Sequence, residues 1–186
     1  MNRRDIPNLI TLLRFLMVPP FVWLLLQGRH FDALLLFFIA GLSDGLDGYL
    51  AKHYGWTSRL GGLLDPLADK LLLVSAFVAL GYQGLLPVYL VGLVLLRDLV
   101  IVSGAVAYHF RVAPLDADPS WVSKVNTVLQ IGLVLLVIFN QVYPTVGPFW
   151  MQMLETMVVL ATAWSGLDYV WTWSKRARDS QISKGG

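Results

Sequence analysis

The chain has 186 residues, 56% of them hydrophobic and 14% charged, against roughly 25% charged in an ordinary soluble domain. Its mean hydropathy of +0.64 and its apolar stretches of about twenty residues point to a chain whose solvent is mostly lipid, and exclude collagen, disorder and a small secreted scaffold. With no Cys there is no disulfide framework, zinc knuckle or thiol nucleophile, so any chemistry must come from carboxylates, Lys, Arg or hydroxyls. The net charge of +2 matters less than where the charges sit, because each one at membrane depth is costly and marks a role.

Windows of about twenty residues, the length that crosses a hydrocarbon core, divide the chain into a predicted bundle of six spans. The first runs from Pro7 to Gln27 and the second from Phe31 to Lys52, turning acidic near its end. The third, Leu60 to Tyr82, does the reverse, opening with Gly61, Asp65 and Asp69. Leu86 to Phe110, Val122 to Tyr143 and Phe149 to Ser174 follow, with a basic tail over residues 175–186. Short links carrying Gly or Pro separate them. Arg3, Arg4, Lys52, Arg59, Arg111, Lys175, Arg176, Arg178 and Lys184 then all fall on one side, and the opposite loops hold Arg29 alone. Lys and Arg stay cytoplasmic, which predicts that both termini face the cytoplasm. Arg14 interrupts the first apolar run and no A-x-A site follows, so this span reads as an uncleaved helix. Nothing ahead of it reads as an organelle-import extension, and a bacterial cytoplasmic (inner) membrane is expected.

The stretch from Ser43 to Lys70 holds four of the twelve acidic residues. Asp44, Asp47, Gly48 and Ala51 follow i, i+3, i+4, i+7 at the end of span two and share one helical face. Gly61, Asp65 and Asp69 align in the same way on span three. A short link, His53 to Leu60, makes the two spans antiparallel neighbours, so four carboxylates are expected to face one cavity. In a low dielectric they would repel one another and raise one another's pKa unless cations sat among them. An all-oxygen donor set suits Mg²⁺, Mn²⁺ or Ca²⁺, and a pair of such ions about 4 Å apart is the usual device for displacement at phosphorus. Gly48 and Gly61, without side chains, let a bulky substrate approach the backbone. Solvated loop carboxylates with Gly serving helix packing would account for any one Asp, but poorly for four on two converging faces. Asp69 is expected roughly 13 Å inside the cytoplasmic end of span three, where a substrate can keep its tails in lipid and offer a phosphate to metal.

The spacing D-x-x-D-G-x-x-A-[basic]-x8-G-x3-D-x3-D is met by Asp44, Asp47, Gly48, Ala51, Lys52, Gly61, Asp65 and Asp69. It resembles the signature of the CDP-alcohol phosphotransferases. The basic opening segment D-I-P-N-L-I-T-L-L-R and the six-span length fit the same family, so the resemblance covers nearly the whole chain as one membrane domain, residues 1–186. One position departs: Lys52 stands where the family usually has Arg, keeping the charge but losing the bidentate fork. The resemblance implies a six-helix membrane fold, a homodimer, two divalent ions (Mg²⁺ or Mn²⁺) and release of CMP from a CDP-linked lipid such as CDP-diacylglycerol, with no nucleic-acid partner. Carried onto this chain, Asp44, Asp47 and Asp65 would be metal ligands, and Asp69 a ligand and the base toward the acceptor hydroxyl. Gly48, Ala51 and Lys52 would shape the cytidine diphosphate pocket.

Arg97 and Asp98 interrupt span four, and Ser123-Lys124-Val125-Asn126-Thr127 opens span five. Arg97 and Lys124 are read as holding an acceptor phosphate, ahead of the alternative in which Arg97 pairs with an Asp and Lys124 snorkels. The R-D pair and P-S-x-V-S-K-V-N-T resemble the cardiolipin synthase branch, whose acceptor is phosphatidylglycerol. Phosphatidylglycerophosphate synthases, whose acceptor is glycerol 3-phosphate, typically carry R-E and K-x-K-T, and Asn126 stands where that second Lys would be. His30, His53 and His109 read as interfacial, and Trp121, Trp150, Trp171 and Trp173 as belt residues. Asn8, Thr11 and Arg14 share a face that would either line the pocket or anchor the interface. Glu155 and Asp168 have no assigned role. A cation carrier is the main reading from another class, but it would spread its carboxylates along a route rather than cluster them toward one side.

Overall fold

The computed structural model describes residues 6–54, 61–111 and 120–184, with the side-chain surroundings of residues 9–43, 67–104 and 120–172. The described residues form six α-helices and no strand: α1 Ile6–Leu26, α2 His30–Tyr54, α3 Gly61–Tyr82, α4 Val88–Arg111, α5 Trp121–Val142 and α6 Pro148–Lys184. Each coincides with a predicted span to within one or two residues, except at the end of α6. There the helix runs on through Lys175, Arg176 and Arg178 to Lys184. Lys, Arg, Ala and Gln are good helix formers, and no Gly or Pro intervenes before Gly185.

The ends of α1 and α3 are built alike. Gly28 and Gly84 both take a φ of +71°, a left-handed conformation open to glycine at little cost. The N–H of Gly28 donates to the Leu25 carbonyl at 2.9 Å and that of Arg29 to Leu24 at 3.0 Å; Gly84 donates to Gly81 at 3.0 Å and Leu85 to Leu80 at 2.9 Å. This Schellman arrangement satisfies carbonyls that would otherwise end bare in apolar surroundings. Pro148 opens α6, where its missing N–H is harmless. Pro19 and Pro20 lie inside α1 and withhold two helix bonds, a loss that membrane helices tolerate.

The chain divides into two compact units, Met1–Leu86 with Val134–Val146, and Pro87–Leu133 with Gly147–Gly186. In the first, both α2 and α3 pack on α1. Phe21 and Leu25 of α1 are fully buried, and the Phe21 ring lies tilted against Phe37 of α2 with centroids 5.4 Å apart. Ala33, Ala40, Ala68 and Ala76 are buried as well, small residues that let helix backbones approach. Nε2 of Gln83, just past α3, donates to the Leu25 carbonyl at 2.6 Å and ties the two helix ends together. In the second unit α4 packs on α6, and Leu90, Val94, Leu133 and Val158 are buried.

The outward faces are apolar in both units. Leu16 is 63% exposed, Leu99 65% and Leu167 71%, in the company of Phe31, Leu35, Phe38, Leu96 and Trp164. Apolar surface this extensive is foreign to water-soluble monomers and suits lipid. Among the described residues, two helical stretches, Leu9–Leu26 and Trp121–Val142, are long and apolar enough to cross a membrane by length and composition alone. Replacing the buried ring in Phe21→Ala should cost about 3 kcal/mol, read as a lower unfolding temperature of the purified protein in detergent, whereas Leu16→Ala on the outward face should stay near wild type.

Candidate active site

Unbroken helix over His30–Tyr54 and Gly61–Tyr82 turns sequence spacing into faces. Asp44, Asp47, Gly48 and Ala51 share one face of α2, with Lys52 following, and Gly61, Asp65 and Asp69 share one face of α3. The side chains of Asp44, Asp47, Ala51, Lys52 and Asp65, and the surroundings of Gly48 and Gly61, lie outside the described residues. The expected convergence of the two faces falls there too.

Asp69 is described in full. Ala68 and Leu72 on either side of it are buried, while its own side chain is 42% exposed. Its Oδ1 accepts a hydrogen bond from Nη1 of Arg14, a fully buried side chain on α1. Thr11, one turn before Arg14, is buried as well. A guanidinium withdrawn from water is costly unless an anion answers it, and here the answering anion is the carboxylate that the sequence marks as ligand and base. The sequence left the Asn8–Thr11–Arg14 face open between pocket and anchor. The structure turns Thr11 and Arg14 inward, and the side chain of Asn8 lies outside the described residues. An Arg amid the apolar run of span one already demanded a counter-charge; its spacing along the chain did not say which of twelve acids supplied it.

The donor chemistry fits the divalent ions expected from the sequence. The four aspartates offer only oxygen, the preference of hard cations that coordinate several carboxylates. Asp69, fixed by Arg14 yet partly open, is reachable by an ion. Among the described residues no three acidic or histidine side chains gather; Asp44, Asp47 and Asp65 are outside that set.

The second unit carries a separate polar seam. Arg97, 6% exposed, donates from Nη2 to Ser123 Oγ at 2.6 Å and to Ser165 Oγ at 2.7 Å, from Nε to Ser165 Oγ at 3.2 Å, and from Nη1 to Asp98 Oδ1 at 2.7 Å. Most of its donors are thus engaged by protein, although the sequence raised it as an acceptor-phosphate ligand. Lys124, the next residue after Ser123, is exposed. Asn126 is fully buried: Thr162 Oγ1 donates to its Oδ1 at 2.9 Å, and Gln130 Nε2 donates to Thr162 Oγ1 at 3.3 Å. Ser123, Asn126 and Gln130 follow i, i+3, i+7 along α5 and meet Thr162 and Ser165, at i, i+3, along α6. The seam was not anticipated, though its helical spacing was readable. A Cβ placed on Gly166 would stand 3.8 Å from Cγ of Arg97, so α6 runs directly against the arginine stem. At the start of α2, the His30 imidazole is half-buried. Nothing in the structure explains Glu155 or Asp168.

A sequence profile of the CDP-alcohol phosphatidyltransferases matches residues 4–165, and the chain belongs to that family. It is 31% identical over 184 residues to the cardiolipin synthases (CMP-forming) of Rattus norvegicus and Homo sapiens, covering 90% of this chain and 61% of theirs. It is 34% identical over 178 residues to a Mycobacterium tuberculosis protein described as a probable phosphatidylglycerophosphate synthase, covering 89% of this chain and 80% of that one. A cardiolipin synthase (CMP-forming) of Streptomyces coelicolor is 39% identical over 112 residues, or 56% of this chain and 52% of its own. The chain spans about six-tenths of the length of the first curated relatives it matches.

Ser165→Ala takes two hydrogen bonds from a buried guanidinium and should lower stability by about 1–3 kcal/mol, measured by thermal unfolding. Thr127→Ala, on the exposed side of α5, should leave it unchanged.

Proposed function

We propose that the protein transfers the phosphatidyl group of CDP-diacylglycerol to a hydroxyl of phosphatidylglycerol, giving cardiolipin and CMP. The observation that carries this reading is the pairing of the signature's last aspartate, Asp69, half-open on α3, with a buried arginine of α1, in a chain whose family profile spans most of its length. The similarity to cardiolipin synthases over 90% of the chain favours phosphatidylglycerol as acceptor. A second reading, glycerol 3-phosphate as acceptor, is favoured by the mycobacterial relative, which the chain covers more fully.

In this proposal Asp44, Asp47, Asp65 and Asp69 would hold two divalent ions. When bound, Mg²⁺ or Mn²⁺ would supply positive charge against the diphosphate and the departing CMP. Gly48, Ala51 and Gly61 leave room for the cytidine diphosphate beside the helix backbones, and Lys52 adds a positive charge to its phosphates. Asp69 takes the proton of the acceptor hydroxyl as its oxygen bonds to the phosphatidyl phosphorus and the bond to the CMP oxygen breaks. Lys124 draws the acceptor's phosphate by its exposed charge. Arg97 acts on that phosphate through the turn it braces at Ser123, with its own charge largely answered by Asp98. One membrane domain carries both units, with six spans, both termini and the catalytic face at the cytoplasmic side of a bacterial inner membrane, and two copies forming a homodimer.

Purified protein should release CMP from CDP-diacylglycerol when phosphatidylglycerol and Mg²⁺ or Mn²⁺ are supplied, and not after chelation. Asp69→Asn should lower turnover by about 10²–10⁴-fold, the usual worth of a general base; full activity would remove that assignment. Offering phosphatidylglycerol and glycerol 3-phosphate separately and identifying the lipid product decides the acceptor.

A further inference from the structure

We infer that Arg14 is a positioning residue for Asp69 and the protein's own counter-ion at the acidic face, setting how tightly the divalent ions are held. This rests on the metal-dependent reading of the aspartates, and it concerns a residue outside the signature spacing.

Three observations carry it. The guanidinium is fully buried while the carboxylate it grips is 42% exposed, so the arginine reaches outward from the packed side of α1 to the edge of the open face. That geometry suits a brace behind a working group, because the buried partner is immobile and the open one must stay in place. Next, α1 is the helix on which both α2 and α3 pack, and Asp69 lies between residues of α3, Ala68 and Leu72, that are buried. Finally, the charges compete: a fixed cation bonded to Oδ1 of Asp69 both repels a divalent ion nearby and occupies an oxygen that the ion could use. Arg14 therefore keeps Asp69 oriented and answers its charge before metal arrives, at the expense of metal affinity.

The inference predicts opposite changes in two quantities. In Arg14→Gln, Mn²⁺ should bind several-fold more tightly, counted directly by the loss of the free-ion electron paramagnetic resonance signal, while turnover at saturating Mn²⁺ falls at least tenfold because Asp69 is no longer held. Arg14→Lys, which keeps the charge with a single ammonium, should return the Mn²⁺ affinity toward wild type and recover part of the turnover. The exposed position of Asp69 gives it water when Arg14 is removed, and size-exclusion chromatography with thermal unfolding in detergent shows which variants are folded. If Arg14→Gln does not fold, the lysine variant decides by turnover at saturating Mn²⁺: a folded Arg14→Lys protein with reduced turnover supports the inference, and one with wild-type turnover overturns it. Unchanged or weaker Mn²⁺ binding in a folded Arg14→Gln protein overturns the inference. Failure of the wild-type protein to bind Mn²⁺, or unaltered binding in Asp69→Asn, overturns instead the metal reading beneath it.

Discussion

Arg14 meets Asp69 because a buried guanidinium is not tolerable alone where it stands. Arg14 lies within an apolar helix and its side chain is cut off from solvent; an unanswered guanidinium there would cost several kcal/mol. Asp69, 42% exposed, supplies an answering carboxylate. The pair forms between the helix on which α2 and α3 pack and the helix that carries Asp69. The proposed nest of four aspartates would need positive charge among them, of which Arg14 supplies part. In the proposed function two divalent ions would supply more, and with it the capacity to activate a diphosphate.

The second unit answers its buried charge differently. Arg97 is neutralised locally by Asp98 and saturated by two serine hydroxyls, and the seam continues through Asn126, Thr162 and Gln130. Apolar side chains offer helices in lipid no particular preference for one another, so hydrogen bonds and close packing fix which faces meet. These contacts join α5 to α4 and α6 and fix the turn that bears Lys124. An arginine that would be read as a ligand from its charge and depth is, in this arrangement, held by its own protein.

Much of the architecture was legible because the rule that governs it is simple. A span needs about twenty apolar residues, and short links carrying Gly or Pro marked its limits to within one or two positions. The extension of α6 was missed because apolarity ends at Ser174 while helical propensity does not: charge stops a helix from being buried, not from being a helix. Spacing on a helix says which residues share a face, and so it groups Asp65 with Asp69 on α3 and Asp44 with Asp47 on α2. What spacing cannot give is the partner across the fold. Arg14 and Asp69 stand 55 residues apart and Arg97 and Ser165 68 apart, separations at which only the packing of helices decides the pair. Asn126 illustrates the difference most sharply. Compared with a lysine by its place in a motif, it reads as a missing charge at the substrate; set in the fold, it is a fully buried amide bonded to Thr162.

The central claim is that the aspartates of α2 and α3 form one ion-binding nest against Arg14. Anomalous diffraction at the manganese edge, from crystals of the protein grown with Mn²⁺ and a CDP-linked lipid, measures this directly. The account predicts two peaks about 4 Å apart, ringed by Asp44, Asp47, Asp65 and Asp69 and touching the diphosphate. Peaks elsewhere, or none with the lipid bound and the aspartates turned away from one another, would contradict it.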